Sequence, residues 1–345
     1  WRSQRRRGSR TRTRMETLNI CLVGFGSVNR ALVRLVAREA EWLQKHHSLD
    51  VQFSAIVARH GAWEPRSGDY LPPVAVLARL ADIVAAGEAR LDAGSLAAAA
   101  ATLGIDAATV MATTAPPTAA VLELIARRLA PPADGRASVA CLVEAVDVDY
   151  AAGEPATSYL RAALSVGAHA VSANKGPVVH ARAALLALAR HKGVRYLHES
   201  AVMDGVPIFS TWAGGFRPGG ARLRRLRGAL NSTSSVVLSG MEQGQTMDEA
   251  LAVAQAAGIA EADPDGDLSG MDAAVKVVAL VNSLEMGEPL LLSDVAVEGV
   301  RGITPERAAA AKAAGRSLRL VAGAEMREGG EGGEGGEGGE GGEGG

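Results

Sequence analysis

Leu18-Asn19-Ile20-Cys21-Leu22-Val23-Gly24-Phe25-Gly26-Ser27-Val28-Asn29, continued by Ala31-Leu32-Val33-Arg34-Leu35-Val36, is the stretch on which the fold turns. Its first six residues form a short apolar run of the kind that makes a buried parallel strand. A glycine turn follows, and then a helical apolar pattern. In that context a G-x-G turn has a physical meaning. The two glycines permit the tight bend and let the backbone approach a pyrophosphate at the helix N-terminus, where free N–H groups and the helix dipole favour anions. Gly24, Phe25, Gly26, Ser27 and Val28 are therefore candidate cofactor-binding residues. The third position of the G-x-G-x-x-G pattern holds Asn29, a departure from it.

Working outward, a second strand pattern runs from Val51 to Val57, at the distance a β-α-β unit requires. In an NAD-binding domain such a strand usually ends in an acid that meets the ribose 2′-hydroxyl. Here it ends Ala58-Arg59-His60. An arginine suits a 2′-phosphate, so Arg59 points to NADP, with NAD and a solvated loop arginine as the alternatives. Residues 61–115 are rich in Pro, Gly and Ala and predict one amphipathic helix, around 74–86; no function is legible there. Ser138 to Val146 is another buried strand pattern, and a helix is expected near 155–166. Ala170-Val171-Ser172 is a further strand, running into Ala173-Asn174-Lys175-Gly176-Pro177. Lys175 is thus expected at the end of a parallel strand, the sheet edge where ligands of open α/β folds sit. It reads either as a plain turn lysine or as one that holds a carboxylate or polarises a carbonyl.

Composition bounds the rest. The 345 residues carry 36 basic and 38 acidic side chains, a formal charge of -2, which argues against a nucleic-acid partner. The length suggests about two domains. No apolar run is long enough to span a membrane. Cys21 and Cys141 both fall in apolar strand patterns, as small buried hydrophobes do, and not in a disulfide framework. The two ends differ from the body. Residues 1–14 hold seven arginines and no acid, and Glu328–Gly345 is a strict Glu-Gly-Gly repeat of six Glu and twelve Gly. The arginine run reads as translated sequence upstream of Met15 or as a transit-peptide remnant, with a nucleic-acid arm the remotest option. A cytoplasmic location follows from the first reading and a plastid from the second. Both ends are expected to be disordered, because the repeat offers neither apolar surface nor β-propensity.

Ala254 to Lys276 carries the strongest chemical signal. A helix ends at Gly258, an acidic loop holds Glu261, Asp263, Asp265 and Asp267, and a second helix places Asp272 and Lys276 one turn apart. The i, i+4 spacing puts both side chains on one face, which alone is an ordinary helix salt bridge. A calcium loop fails because Leu268 stands where that pattern needs glycine. A salt bridge does not explain so many acids around one lysine. The apolar continuation Val277-Val278-Ala279-Leu280 would half-bury that lysine, and burial tunes a proton donor.

With these residues in view the chain resembles the homoserine dehydrogenase family. The stretch 254–276 matches that family's signature at every fixed position. Supporting it are the Gly24–Val28 turn, Ser172–Pro177, His198-Glu199-Ser200-Ala201-Val202-Met203-Asp204-Gly205-Val206-Pro207-Ile208, and Leu230-Asn231-Ser232-Thr233-Ser234 before Gly240-Met241. The resemblance spans about residues 18–323. It implies NAD(P)-dependent interconversion of L-homoserine and L-aspartate 4-semialdehyde, in threonine, isoleucine and methionine biosynthesis, by a homodimer. The implied fold is α/β, a Rossmann-type parallel-sheet domain (15–173) followed by an α+β catalytic and dimerisation domain with a mixed sheet (174–327). By resemblance Lys276 is the proton donor and acceptor, Asp272 orients it, and Lys175 is a second active-site lysine near substrate and nicotinamide. Glu261 binds the substrate ammonium, and Asp267 and Thr233 belong to the substrate site. A sodium site would draw on Glu199, Val202, Asp204 and Val206; the plainer reading of Glu199 is a local cap.

Besides Asn29, the chain departs from the family in two places. Ala145-Val146-Asp147-Val148-Asp149 replaces a Thr-Pro stretch near the nicotinamide. After a helix ending near Gly315, Ser317 to Gly323 is expected as a strand, and the Glu-Gly-Gly repeat then begins, so the catalytic domain is expected to be incomplete. Aspartate-semialdehyde dehydrogenase, a rival reaction, needs a thiol nucleophile, and the two cysteines are in strand cores. The rival of another class is a catalytically impaired NADP-binding or dimer-interaction protein derived from the family.

Overall fold

The computed structural model describes residues 15–88, 90–131, 138–260 and 263–326, which fall into two bodies dividing at Gly215 and Phe216. The first opens with β1 (Glu16–Val23), α1 (Ser27–His47) and β2 (Leu49–Ala58). β3 (Gly61–Pro65), α2 (Val74–Ala85), α3 (Leu96–Leu103), β4 (Val110–Thr114) and α4 (Thr118–Leu129) follow. Then come β5 (Ser138–Glu144), α5 (Ala156–Ser165), β6 (His169–Ser172), α6 (Lys175–His180), α7 (Arg182–His191) and β7 (Tyr196–Leu197). Two one-turn helices, α8 (Ser200–Met203) and α9 (Ile208–Thr211), close the body.

One seven-stranded sheet runs β4-β3-β2-β1-β5-β6-β7. β1 pairs in parallel with β2 on one side and with β5 on the other. The chain leaves β1 toward β2 and later returns to β5, so strand order reverses at the carboxyl ends of β1 and β5, where open α/β sheets take ligands. The alternation of side chains along β1 builds a core on each face. Ile20 and Leu22 pack with Val33 and Val36 of α1, whereas Cys21 and Val23 pack with Val121, Leu124 and Ile125 of α4. Burial pushes both thiols, Cys21 and Cys141, up to about 12. They are free and inert, as their strand positions suggested.

Two expectations are corrected here, and the contacts draw one boundary at another place. The region 61–115 contains two antiparallel strands, β3 and β4, which extend the sheet beyond β2. The first body runs past 173 to Gly215, because β7 adds to β6 in parallel and α7 packs on α5. Lys175 does not end a strand. β6 stops at Ser172, and Asn174 caps a new helix that Lys175 begins, its Oδ1 accepting the Gly176 N–H at 2.9 Å.

The second body holds β8 (Arg225–Gly228), α10 (Ser232–Met241), α11 (Met247–Ala256), α12 (Asp265–Leu268), α13 (Met271–Ser283), α14 (Pro305–Ala313) and β9 (Ala322–Glu325). α11 starts in a capping box between Thr246 and Glu249, the sequence signature of such a start. α13 is buried nearly all round, with Val277, Val281 and Met286 packed against Leu226, Leu230 and Ala324. Among the described residues the sheet of this body is the antiparallel pair β8-β9, where a mixed sheet was expected. The strand expected at 317–323 begins only at Ala322. Leu318 and Leu320 do pack against the α10 core, but the Leu318 N–H donates to the Glu242 carboxylate at 2.7 Å and so takes no part in a ladder. Among the described residues no helix is long and apolar enough to cross a membrane.

Candidate active site

In the first body the site is a cleft at the switch point. Gly24 has φ +85, and a Cβ there would lie 2.1 Å from the Ala145 carbonyl oxygen, so only glycine fits. A Cβ on Gly26 would meet nothing within 4 Å, which leaves an open cradle at the start of α1. No side chain caps that helix. Asn29, in place of the third glycine, is fully buried. Its Nδ2 faces the carbonyls of Gly24 at 2.6 Å, Val23 at 3.3 Å and Val143 at 3.4 Å, tying the turn to β1 and β5. The departure is therefore structural, and the turn keeps its shape.

The cleft encloses about 720 Å³ and is lined by Gly24, Phe25, Gly26, Arg30, Arg59 and His60 among others. That volume suits a cofactor site. Of the residues expected here, Ser27 and Val28 form the first turn of α1 outside the lining, and Lys175 lies outside it as well. Arg59 is ion-paired with Asp147 from the loop after β5. Both side chains are largely exposed, so the pair itself is worth little. The residues present fit a nicotinamide dinucleotide: a turn only glycine can make, an open helix start, and an arginine rather than an acid at the end of β2.

Sequence reasoning missed Glu144, the last residue of β5. It is wholly buried and accepts hydrogen bonds from Ser172 Oγ at 2.5 Å, the Val146 N–H at 2.8 Å and Asn174 Nδ2 at 3.2 Å. Burial raises its carboxyl above the ordinary value, which these bonds only partly offset. Glu144 thereby pins the loop of Val146 and Asp147 to the turn that carries half-buried Lys175. The signal was available, since it is the sole charge in the apolar run from Ser138.

In the second body Lys276 Nζ donates to Asp272 Oδ2 at 2.8 Å and to the Leu230 carbonyl at 2.7 Å. The side chains are 15% and 7% exposed, so the pair is mostly withdrawn from water. Asn231 Nδ2 donates to the same Asp272 oxygen at 3.0 Å and to Asp267 Oδ1 at 2.6 Å. Buried Thr233 donates to the Ile259 carbonyl at 3.3 Å, beside the acidic loop. Asp265 is turned away, paired with Arg301 at 2.6 Å. Glu261 lies outside the described residues. The structure thus brings together Lys276, Asp272 and Asp267, and adds Asn231 and the Leu230 carbonyl to them.

Glu199 behaves as a cap. Its two oxygens accept the N–H groups of Phe209 and Ser210 at 2.8 Å each, at the start of α9. The Val206 carbonyl accepts the Ile208 N–H at 2.9 Å. Among the described residues no group of three or more His, Cys, Asp or Glu gathers for a metal. One carboxylate with main-chain carbonyls remains a donor set that suits only a hard, oxygen-seeking cation. Adjacent His198 is held neutral: burial, and then Arg182, lowers it to about 4.

A mostly parallel sheet with a glycine turn at its switch point, and a lysine paired with an aspartate in a second body, are features of a class, the α/β dehydrogenases that use a nicotinamide nucleotide. A family model for homoserine dehydrogenase matches residues 207–331. An NAD(+)-dependent homoserine dehydrogenase of Pseudomonas canavaninivorans is 33% identical over 298 residues, 84% of this chain and 72% of that protein. The homoserine dehydrogenase of Sulfurisphaera tokodaii is 33% identical over 187 residues, 54% of this chain and 58% of that protein. The chain belongs to the homoserine dehydrogenase family. A solved homoserine dehydrogenase from Thiobacillus denitrificans has the same fold, with a TM-score of 0.65 at 24% identity, over 91% of this chain and 59% of that one. One from Thermoplasma acidophilum gives 0.64 at 21%, over 90% and 80%.

Proposed function

We propose that the protein interconverts L-homoserine and L-aspartate 4-semialdehyde as a homoserine dehydrogenase. The observation that carries this reading is the withdrawn Lys276, held by Asp272 and the Leu230 carbonyl beside Asp267. A bound nicotinamide nucleotide supplies the hydride for reduction and accepts it in oxidation. Lys276, as an ammonium, neutralises and protonates the carbonyl oxygen as negative charge builds there; as an amine it takes the hydroxyl proton in the reverse direction. Asp272 fixes the direction in which that ammonium points. Asp267 and Glu261 are the acids for the substrate ammonium, Thr233 shapes the same loop, and Lys175 is the cation for its carboxylate or carbonyl.

For the nucleotide, Arg59 and His60 at the end of β2 support NADP, while the name of the Pseudomonas canavaninivorans relative supports NAD. A homodimer and a monovalent cation at Glu199 with the carbonyls of Val202, Asp204 and Val206 belong to the same reading. No observation specifically favours an impaired, merely nucleotide-binding protein. The test is oxidation of L-homoserine by the purified chain, with NADP and NAD supplied separately and reduced nucleotide followed by absorbance. Binding of nucleotide without any turnover would reject the enzymatic reading.

A further inference from the structure

Asn231 touches more of the second-body site than any residue the sequence reading assigned to it. Its side chain is buried. Its Oδ1 accepts the Ser234 N–H at 2.8 Å and so caps α10. That bond settles which way the carboxamide points, because the donor end must then face away from the helix. Nδ2 duly lies 2.6 Å from Asp267 Oδ1 and 3.0 Å from Asp272 Oδ2. The Asn231 carbonyl accepts Ser235 Oγ at 2.8 Å, fixing the backbone, and the preceding carbonyl, Leu230, receives Lys276.

An amide NH₂ has two hydrogens, and here each has a carboxylate to meet. Two acids from different elements, α12 and α13, are thereby held at one separation by a neutral group. Both are acceptors in these bonds. Without the amide the two carboxylates would face each other without the donor that now stands between them.

We infer that Asn231 is a positioning residue which locks the acid steering Lys276 and the acid that meets the substrate ammonium into one rigid unit. The inference rests on the proposed homoserine dehydrogenase reaction. It separates from mere capping because Ser and Asp cap helices about as well as Asn, yet neither can donate to two carboxylates. Serine has one hydrogen to give, and aspartate would add a third negative charge.

The experiment compares wild type, Asn231→Ser, Asn231→Asp, Asp267→Asn and the Asn231→Ser, Asp267→Asn double variant. Melting temperature, nucleotide Kd, and kcat and KM for L-homoserine are measured for each. Asn231→Ser is expected to lower kcat/KM roughly ten- to hundredfold, the range for a lost hydrogen bond to a charged group, through both a higher KM and a lower kcat. Asn231→Asp should lose more, with nucleotide Kd unchanged in both. In the Asp267→Asn background, Asn231→Ser should raise KM no further, since its route to the substrate is gone. Wild-type kinetics in a folded Asn231→Ser, a loss confined to melting temperature, or fully additive effects on KM would each overturn the inference. An inactive wild-type chain would instead overturn the reaction on which it rests.

Discussion

Lys276 and Asp272 stand one helical turn apart on α13, 2.8 Å from ammonium to carboxylate, with the lysine held a second time by the Leu230 carbonyl at 2.7 Å. A surface i, i+4 pair contributes only a few tenths of a kcal/mol. This one is largely withdrawn from water, and the desolvation cost of such a pair offsets much of its attraction. Its placement is therefore poorly explained by stability and well explained by chemistry.

Lys276→Ala is accordingly expected to lower turnover by about 10²–10⁴, the usual range for a lost general acid, while nucleotide affinity stays as it was. Lys175→Ala should also raise KM, as a residue that meets the substrate would. Steady-state kinetics and nucleotide titration on the two variants check both statements. A Lys276→Ala protein that keeps its kcat and loses only melting temperature would return the pair to an ordinary salt bridge.

The two glycines of the first turn should part company. Gly24→Ala sets a methyl 2.1 Å from the Ala145 carbonyl at a backbone angle that L residues avoid, so the variant should be destabilised or fail to fold. At Gly26 the added methyl meets nothing within 4 Å, and melting temperature should hardly change. It does enter the space a pyrophosphate would use. Gly26→Ala should weaken nucleotide binding tenfold or more, on the scale of about 1.4 kcal/mol per decade. Equal affinity for NADP or NAD in wild type and Gly26→Ala would place the pyrophosphate elsewhere.

What the sequence disclosed follows from how each signal is encoded. β1, β2 and β5 are legible because strands buried on both faces read as unbroken apolar runs, and the turn of Gly24 is legible because its backbone admits no other residue. β3 and β4 were not legible. Gly61-Ala-Trp-Glu-Pro is short and bounded by a glycine and a proline, and its pairing is set by neighbours far along the chain. Lys175 was misplaced by a few residues because the cap on Asn174 converts a strand end into a helix start. Residues 317–321 have the apolar alternation of a strand, yet a single carboxylate, Glu242, takes the backbone N–H that pairing would use. Lys276 and Asp272 lie one turn apart and could be found by spacing. Asn231 could not, since its partners are 36 and 41 residues away.

Arg59 is the side chain proposed to read the nucleotide's 2′ position, and its ion pair with Asp147 makes that proposal measurable. If it reads a 2′-phosphate, Arg59→Ala should weaken NADP binding by about 1–3 kcal/mol, as for a charged hydrogen bond left unmade, with little change for NAD. Asp147, which pairs with Arg59 across the mouth of the cleft, should act in the opposite sense. Asp147→Asn releases the guanidinium and removes a negative charge near the phosphates, so NADP affinity should rise relative to NAD. Parallel dissociation constants for both nucleotides on the two variants supply the test. Losses of equal size for NADP and NAD in Arg59→Ala would assign that side chain to a part common to both nucleotides.

Glu144 gives the last prediction, and its sign can be worked out. Burial raises its carboxyl above the ordinary 4.5, so between 4.5 and the raised value the folded chain holds a proton that the unfolded chain has released. The stability this proton linkage contributes is therefore full below pH 4.5 and is lost as pH rises through the folded value. Glu144→Gln mimics the protonated form, with its carbonyl oxygen able to take the Val146 and Asn174 donors and its amide able to face Ser172. Over that rising-pH window wild type should lose melting temperature relative to Glu144→Gln, and below it the two should converge. Glu144→Ala differs, because it leaves the donors of Ser172 and the Val146 N–H unmatched and takes one acceptor from Asn174, whose amide keeps the Val146 and Asp147 carbonyls. It should cost roughly 1–3 kcal/mol for each group left without a partner. It should also disturb Lys175, whose turn Glu144 anchors, and so raise KM for L-homoserine in whatever fraction folds. The measurement is a melting series against pH for the three proteins, with kinetics at one neutral pH. A pH profile of wild type that runs parallel to Glu144→Gln throughout would mean that folding leaves the Glu144 carboxyl unshifted, its three donors fully offsetting burial.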